Sequence, residues 1–277
     1  MTNGGDDLER TFVSECRYNQ DVHSMKLHYH NAFEIIYIEK GEIEFLVGEH
    51  LYHAADQTLI FISNFEDHSI RILSQEYRRY YILIEPQSLD RLSFDPRLMS
   101  IFKSRPADFN HCVDVSAFSP LVEKLFGAIF QECQTGGPYS AELLSSYMQI
   151  LLVEVFRRFP ENFVRPARRI NPLMYTIQSY IDQNYTQDIS VRQLADEHYL
   201  SVHYLSHNFK ELTGYSPQQY ILLNRLAHAK ELLIHTDDPV GHVAFKSGFK
   251  DVNNFIRIFK KNTGVTPNKY RTMYRDI

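Results

Sequence analysis

The chain has 277 residues, 44% of them hydrophobic, with a net charge of -5 and three cysteines. That length and apolar fraction suit two globular domains and argue against disorder, while the widely spaced Cys16, Cys112 and Cys133 suggest neither a disulfide framework nor a thiolate zinc site. No apolar run approaches the ~20 residues of a membrane span and the opening MTNGGDDLER is polar, so a cytoplasmic protein with no membrane partner is expected.

Between residues 27 and 85 short apolar runs, FEIIYIEKG, EIEFLVGE, TLIFISN, HSIRIL and YYILIEP, alternate with Gly, Asn and Asp. They predict the antiparallel strands of a small barrel or jelly roll. In HYHNAFEIIYIEKG, His28, His30, Glu34 and Gly41 follow the spacing H-x-H-x3-E-x6-G, and His68 stands in a later strand. Side chains alternate along a strand, so His28 and His30 are expected on one face, joined by Glu34 if the strand is regular. The spacing resembles the cupin barrel motif, and such a set could hold Mn, Fe, Ni or Zn. The chain departs from that motif at Val22, Ala55 and Asn64, where Gly, Gly and Pro are usual. No metal or cofactor is assigned.

From Pro120 the period changes to that of helices. Leu121, Leu125, Phe126, Ile129, Phe130 and Cys133 form one stripe, Gly136, Gly137 and Pro138 break it, and Leu144, Met148, Leu151, Val155 and Phe159 form another. This predicts a helical hairpin over about 119–159. The second stripe suits either a seam against a partner subunit, hence a homodimer, or packing on its own barrel. Residues 161–171, rich in Pro and Arg, read as a linker between a domain at 1–160 and an all-helical one at 172–277.

The helical part writes one pattern twice: FKELTGYSPQQY at 209–220 returns as FKKNTGVTPNKY at 259–270. Upstream, Leu194 and Ala195 correspond to Val243 and Ala244, and Ser201 to Asp251. Each copy predicts a short helix, a turn, an N-cap residue and a second helix stopped by Gly and Pro, which is the helix-turn-helix plan, over about 189–214 and 239–264. From residue 241 onward eight Lys or Arg face two acids, leaving +6 there and -11 before it, a local field that suits a polyanion. Residues able to face DNA are Ser201, His203, Tyr204, Ser206, His207 and Lys210 in the first unit, with Lys250, Asn253, Asn254, Arg257, Lys260 and Lys261 in the second.

Residues 170 to 275 resemble the DNA-binding domain of AraC-type bacterial regulators. Arg225, Ala229, Leu232 and Leu233, Pro239, AFKSGF at 244–249 and the closing GVTPNKYR carry the likeness. It implies an α+β protein of two domains: an N-terminal cupin-like β-barrel with a helical hairpin, and a C-terminal all-α domain with two helix-turn-helix units on a joining helix at about 217–236. It also implies double-stranded DNA as partner, RNA polymerase if the chain is an activator, and a small-molecule effector held in the barrel without metal. A polyhydroxy compound such as a sugar suits His28, His30, Glu34 and His68, with Tyr29, Phe33, Tyr37, Arg78 and Tyr80 as further lining. His203 and His207 stand where many relatives carry Trp or Arg, so base preference does not transfer to the first unit. No phosphate loop or nucleophile elbow occurs, and no enzyme activity is expected. The alternatives are a cupin metalloenzyme fused to a DNA-binding tail and a DNA-binding protein whose barrel serves only for dimerisation.

Overall fold

A computed structural model describes residues 12–20, 23–86, 95–103, 105, 108–164 and 172–274. It divides into two compact units between Arg168 and Arg169. The first contains β1 (Val13–Asn19), β2 (Met25–His28), β3 (Phe33–Lys40), β4 (Ile43–Val47), β5 (His50–Ala54), β6 (Thr58–Ile62), β7 (His68–Ile72), β8 (Arg78–Ile84) and β9 (Cys112–Asp114), with α1 (Pro96–Lys103), α2 (Ser119–Thr135) and α3 (Ser140–Arg158). Two antiparallel sheets form, in the orders β1-β8-β3-β6-β9 and β2-β7-β4-β5.

β3 is central to the first sheet and buried on both faces, so its alternation divides the unit in two. Ile36 and Ile38 join Ile60, Ile62, Ile43, Phe45 and Ile70 in the interior between the sheets. Phe33, Ile35 and Tyr37 turn the other way and pack with Phe126, Ile129, Leu151 and Val155 of the helices. Full burial of each such side chain contributes about 1.5–3 kcal/mol. Gly41 closes the turn after β3 with φ +109°, where a Cβ would stand 2.5 Å from the Glu76 carbonyl oxygen. The motif glycine therefore shapes a turn.

Of the two readings of the second stripe, the structure shows packing on its own unit: Leu144, Met148, Leu151 and Val155 lie in that unit's core, so this stripe is not free to meet a second subunit. The packed part also runs beyond the expected linker start at 161, because Phe163 is buried edge-on against Phe156 and the Val164 amide donates to Ser100 Oγ at 3.0 Å. Residues 165–171 of that linker lie outside the described residues.

The second unit consists of α4 (Pro172–Asn184), α5 (Val191–Glu197), α6 (Val202–Thr213), α7 (Pro217–His235), α8 (Val240–Lys246), α9 (Val252–Thr263) and α10 (Pro267–Tyr274). The duplicated letters have a shared physical cause. Phe209 and Phe259 are fully buried and meet Tyr220 and Tyr270 edge-on, each pair with ring centroids 5.4 Å apart. Thr213 and Thr263 donate back to the Phe209 and Phe259 carbonyls at 2.9 Å, and Gly214 and Gly264 end the helices in the left-handed region. Pro217 and Pro267 open the next helices, where a missing N–H costs nothing.

The turn between α8 and α9 depends on Gly248. With φ +87°, a Cβ there would lie 2.7 Å from the Thr186 Cα and 2.9 Å from Arg225 Nε. Arg225 in turn donates to the Tyr185 and Gln187 carbonyls at 2.7 and 2.8 Å. The joining helix thus holds the loop after α4 against the second turn.

Candidate effector site and nucleic-acid interface

Glu34, on the inward face of β3, is 3% exposed in an interior built mainly of Ile, Phe and Val. Its Oε2 accepts from His30 Nε2 at 2.9 Å and lies 3.3 Å from His68 Nε2. The far ring nitrogens face carbonyls: His68 Nδ1 is 2.8 Å from the Glu66 oxygen and His30 Nδ1 is 3.1 Å from that of Ala32. With Nδ1 donating to a carbonyl, a neutral His68 would turn a bare Nε2 lone pair toward the carboxylate, whereas the imidazolium offers a proton. Burial opposes both charges, yet the histidine contacts hold Glu34 well below the usual carboxylate range and the carboxylate raises His68.

His28 completes the group, its ring 4.3 Å from that of His68 and 5.9 Å from that of His30. The expected single strand is corrected. His28 ends β2 in one sheet, His30 lies between strands and Glu34 belongs to β3 in the other sheet. Convergence comes from the chain crossing between sheets. One ring nitrogen from each of His28, His30 and His68 falls within 4.8 Å of the others, a donor set suited to a divalent metal.

Tyr37, Arg78, Tyr80 and Phe33 do not join this group, which corrects their expected place in the lining. Tyr37 and Tyr80 have the opposite strand parity, packing on Phe126 at 5.4 and 5.9 Å, and the Tyr37 hydroxyl donates to Glu123 at 3.2 Å. Phe33 packs on Phe102, and Arg78 lies 3.4 Å from Glu39 at the rim. Tyr29 is buried edge-on to Phe65.

A second charged group went unread in the sequence. Arg105 donates to Glu66 at 2.6 Å and to the Ile101 and Phe61 carbonyls at 2.6 and 3.0 Å, while His111 lies 3.3 Å from Glu66. Burial raises the Glu66 carboxyl, but Arg105 and His111 bring it down to about 2. With His50, Tyr52 and Phe109 these residues line a cleft of about 420 Å³. No local spacing announces partners 39 and 45 positions apart.

On the second unit, Ser201 caps α6 by accepting from the Tyr204 amide at 3.1 Å, and Asp251 caps α9 by accepting from that of Asn254 at 2.6 Å. His203, Tyr204, His207 and Lys210 are exposed along α6 and Ser206 is half-buried. The His203 and His207 rings stack 6.4 Å apart, and His207 lies 3.5 Å from Glu211, an acid on the same helix. Along α9, Asn253, Asn254, Arg257, Lys260 and Lys261 are exposed, and Arg257 Nη2 donates to Asn254 Oδ1 at 2.9 Å. Lys250 stands before the cap, 2.6 Å from Asp188 in an exposed pair that solvent screens.

The shifts at Glu34 and His68 fix a pH signature. A lowered carboxylate contributes stability above its unfolded value, about 4.3, that is lost as pH falls through its folded value. A raised histidine contributes stability below its unfolded value, about 6.5, that is lost as pH rises through its folded value. The difference in melting midpoint between wild type and Glu34→Gln should therefore be widest at about pH 5–6 and narrow on both sides. A gap unchanged from pH 4 to 9, on a scale set by those ~4.3 and ~6.5 references, would contradict the charged pairing.

The family model described as AraC-like ligand binding domain matches residues 12–152, and one described as helix-turn-helix domain matches residues 194–273. The HTH-type transcriptional activator RhaS of Escherichia coli O81 (strain ED1a) is 25% identical over 253 residues, 88% of this chain and 86% of that protein. The uncharacterized HTH-type transcriptional regulator YijO of Escherichia coli (strain K12) is 35% identical over 144 residues, 52% of this chain; the match spans about half, 48%, of YijO's length. ToxT of Vibrio cholerae O395, bound to (E)-4-(8-methylnaphthalen-1-yl)but-3-enoic acid, shares the fold with a TM-score of 0.61 at 15% identity, covering 94% of this chain and 97% of that one. Among the described residues no helix is long and apolar enough to cross a membrane. Since the ligand-binding family alone takes in more than half of the sequence and the helix-turn-helix family takes in the repeat, the chain belongs to the AraC-type transcriptional regulators.

Proposed function

We propose that this regulator takes a hydroxylated small molecule into its barrel and, in response, sets two recognition helices into successive major grooves of double-stranded DNA. The observation that carries the reading is the pair of capped helices α6 and α9, alike in core and turn chemistry and exposing amides, imidazoles and cations. Asn253, Asn254 and Arg257 read base edges, with His203, Tyr204, Ser206 and His207 as their counterparts in the first unit. Lys210, Lys250, Lys260 and Lys261 take phosphates, and Ser201 both caps α6 and lies beside the backbone.

In the barrel, Glu34 accepts from ligand hydroxyls while His28, His30 and His68 donate to them or accept from them. The effector acts by binding one arrangement of the protein more tightly than another. A homodimer is supported by exposed Leu143 and Ile150, seven positions apart on α3 and therefore on one face. The name of the relative RhaS supports activation, which would make RNA polymerase a partner. A cytoplasmic location follows from the same role, and the barrel binds its molecule without turning it over. A second reading is favoured by the imidazole donors: His28, His30 and His68 would hold a divalent metal, with the Ala32 and Glu66 carbonyls orienting two of the rings. Such a metal would supply a Lewis acid to a bound oxygen.

A thermal-shift screen of sugars and sugar acids, with and without chelator, tests the barrel. Binding raises stability by about 2.7 kcal/mol at a hundredfold excess over the dissociation constant, and Glu34→Ala should abolish the shift. Normal binding by Glu34→Ala would move the site elsewhere, and loss of the shift on chelation alone would establish the metal.

For the interface, Arg257→Ala should cost about 1–3 kcal/mol and relax preference at one base pair, whereas Lys260→Ala should weaken all sequences alike and flatten the salt dependence. An equal loss on specific and random DNA for Arg257→Ala would make it a phosphate contact.

A further inference from the structure

Arg79 is one residue from Arg78 and has the opposite parity. It pairs with Ile38 across β3 and shares its strand face with Tyr81, and only 7% of it is exposed. Nη2 donates to the Met25 sulfur at 2.9 Å, and Cζ lies 5.9 and 5.3 Å from the ring centroids of Tyr77 and Tyr81. Among the described residues neither Nε nor Nη1 makes a hydrogen bond of good geometry, and the buried Tyr77 hydroxyl, which lies beside the guanidinium, makes none either. Arg105 differs, for its donors end on Glu66 and on two carbonyls. A thioether is a weak acceptor and two ring faces only partly replace the lost water, so a full charge with open donors awaits an anion.

We propose that Arg79, with the Tyr77 hydroxyl, holds a carboxylate of the effector, which is therefore a hydroxylated acid of the sugar-acid class. The inference rests on the effector reading above. A carboxylate balances one guanidinium charge for charge, whereas a phosphate dianion would leave a net charge buried. Along the β3–β8 ladder Glu34 pairs with Leu83 and Ile38 with Arg79, so the two ends of the site are about 13 Å apart at the backbone. The Glu34 and Arg79 side chains reach inward from those ends, leaving the hydroxyls to the Glu34 end and the carboxylate to the Arg79 end. Met25 covers the guanidinium from β2, a strand of four residues at the edge of its sheet beside β7, and is the side chain that the ligand displaces.

The full chain can be melted in sodium formate against sodium chloride at constant ionic strength, as wild type and as Arg79→Met, and then in glucuronate against glucose. Arg79→Met should melt at or above wild type without formate, because it removes an unpaired charge at similar side-chain length. Formate should raise the wild-type midpoint and leave that of the variant unmoved, and glucuronate should act at lower concentration than glucose. Should Arg79→Met fail to fold, Arg79→Lys keeps the charge without the fork and should show a weakened formate response.

Arg79→Met melting well below wild type, with an unchanged formate response, would show that the charge already has its partner and overturn the proposal. The two readings fail separately. Glucose shifting wild type but not Glu34→Ala, with formate indifferent to Arg79, leaves the effector site standing without the carboxylate. A formate response that depends on Arg79, while glucose and glucuronate bind alike in wild type and Glu34→Ala, keeps the anion subsite and removes the Glu34 site.

Discussion

In each helix-turn-helix unit the edge-on contact between a buried Phe and a buried Tyr, Phe209 with Tyr220 and Phe259 with Tyr270, ties the end of a recognition helix to the start of the next helix. An aromatic pair of this kind adds about 0.5–1.5 kcal/mol beyond the area it buries. Its larger effect is geometric. Between the two rings the chain must stop one helix, turn and begin another within a few residues, which Thr, Gly and Pro allow. Because both units meet this constraint with the same residues, the outward sides of α6 and α9 are free to differ, and they do: imidazoles and a tyrosine on one, amides and cations on the other.

The N-terminal unit obeys a different constraint. β3 is buried on both sides, so each of its residues belongs either to the helix-packed core or to the interior between the sheets. Glu34 falls on the interior side, where an unpaired carboxylate would be strongly disfavoured, and His30 and His68 keep it charged. Arg79 shares that interior, with Nε and Nη1 making no hydrogen bond among the described residues. One region thus holds a paired anion and an open cation, an arrangement better suited to receiving a polar ligand than to holding the barrel together.

What could be read in the sequence was local chemistry. Ser201 and Asp251 as caps, Gly214 and Gly264 as helix stops, and the barrel-plus-helices architecture follow from patterns within a few residues. Strand parity was harder to read. Arg78 and Arg79 are adjacent and chemically alike, and both parities of RRYYILI are apolar enough to face a core, so the inward arginine was not apparent. His28 and His30 were expected on one strand because nothing in HYHNAF marks the crossing between sheets. The Arg105, Glu66 and His111 group joins segments far apart in the chain, and only the folded structure brings them together.

The central claim is that one chain presents two recognition helices to one face of the double helix. Hydroxyl-radical footprinting of the full chain on a selected binding site tests it most directly. The account predicts, for each protomer, two protected regions recurring at about 10 base pairs on the same face. Protection of a single isolated groove per protomer would contradict it.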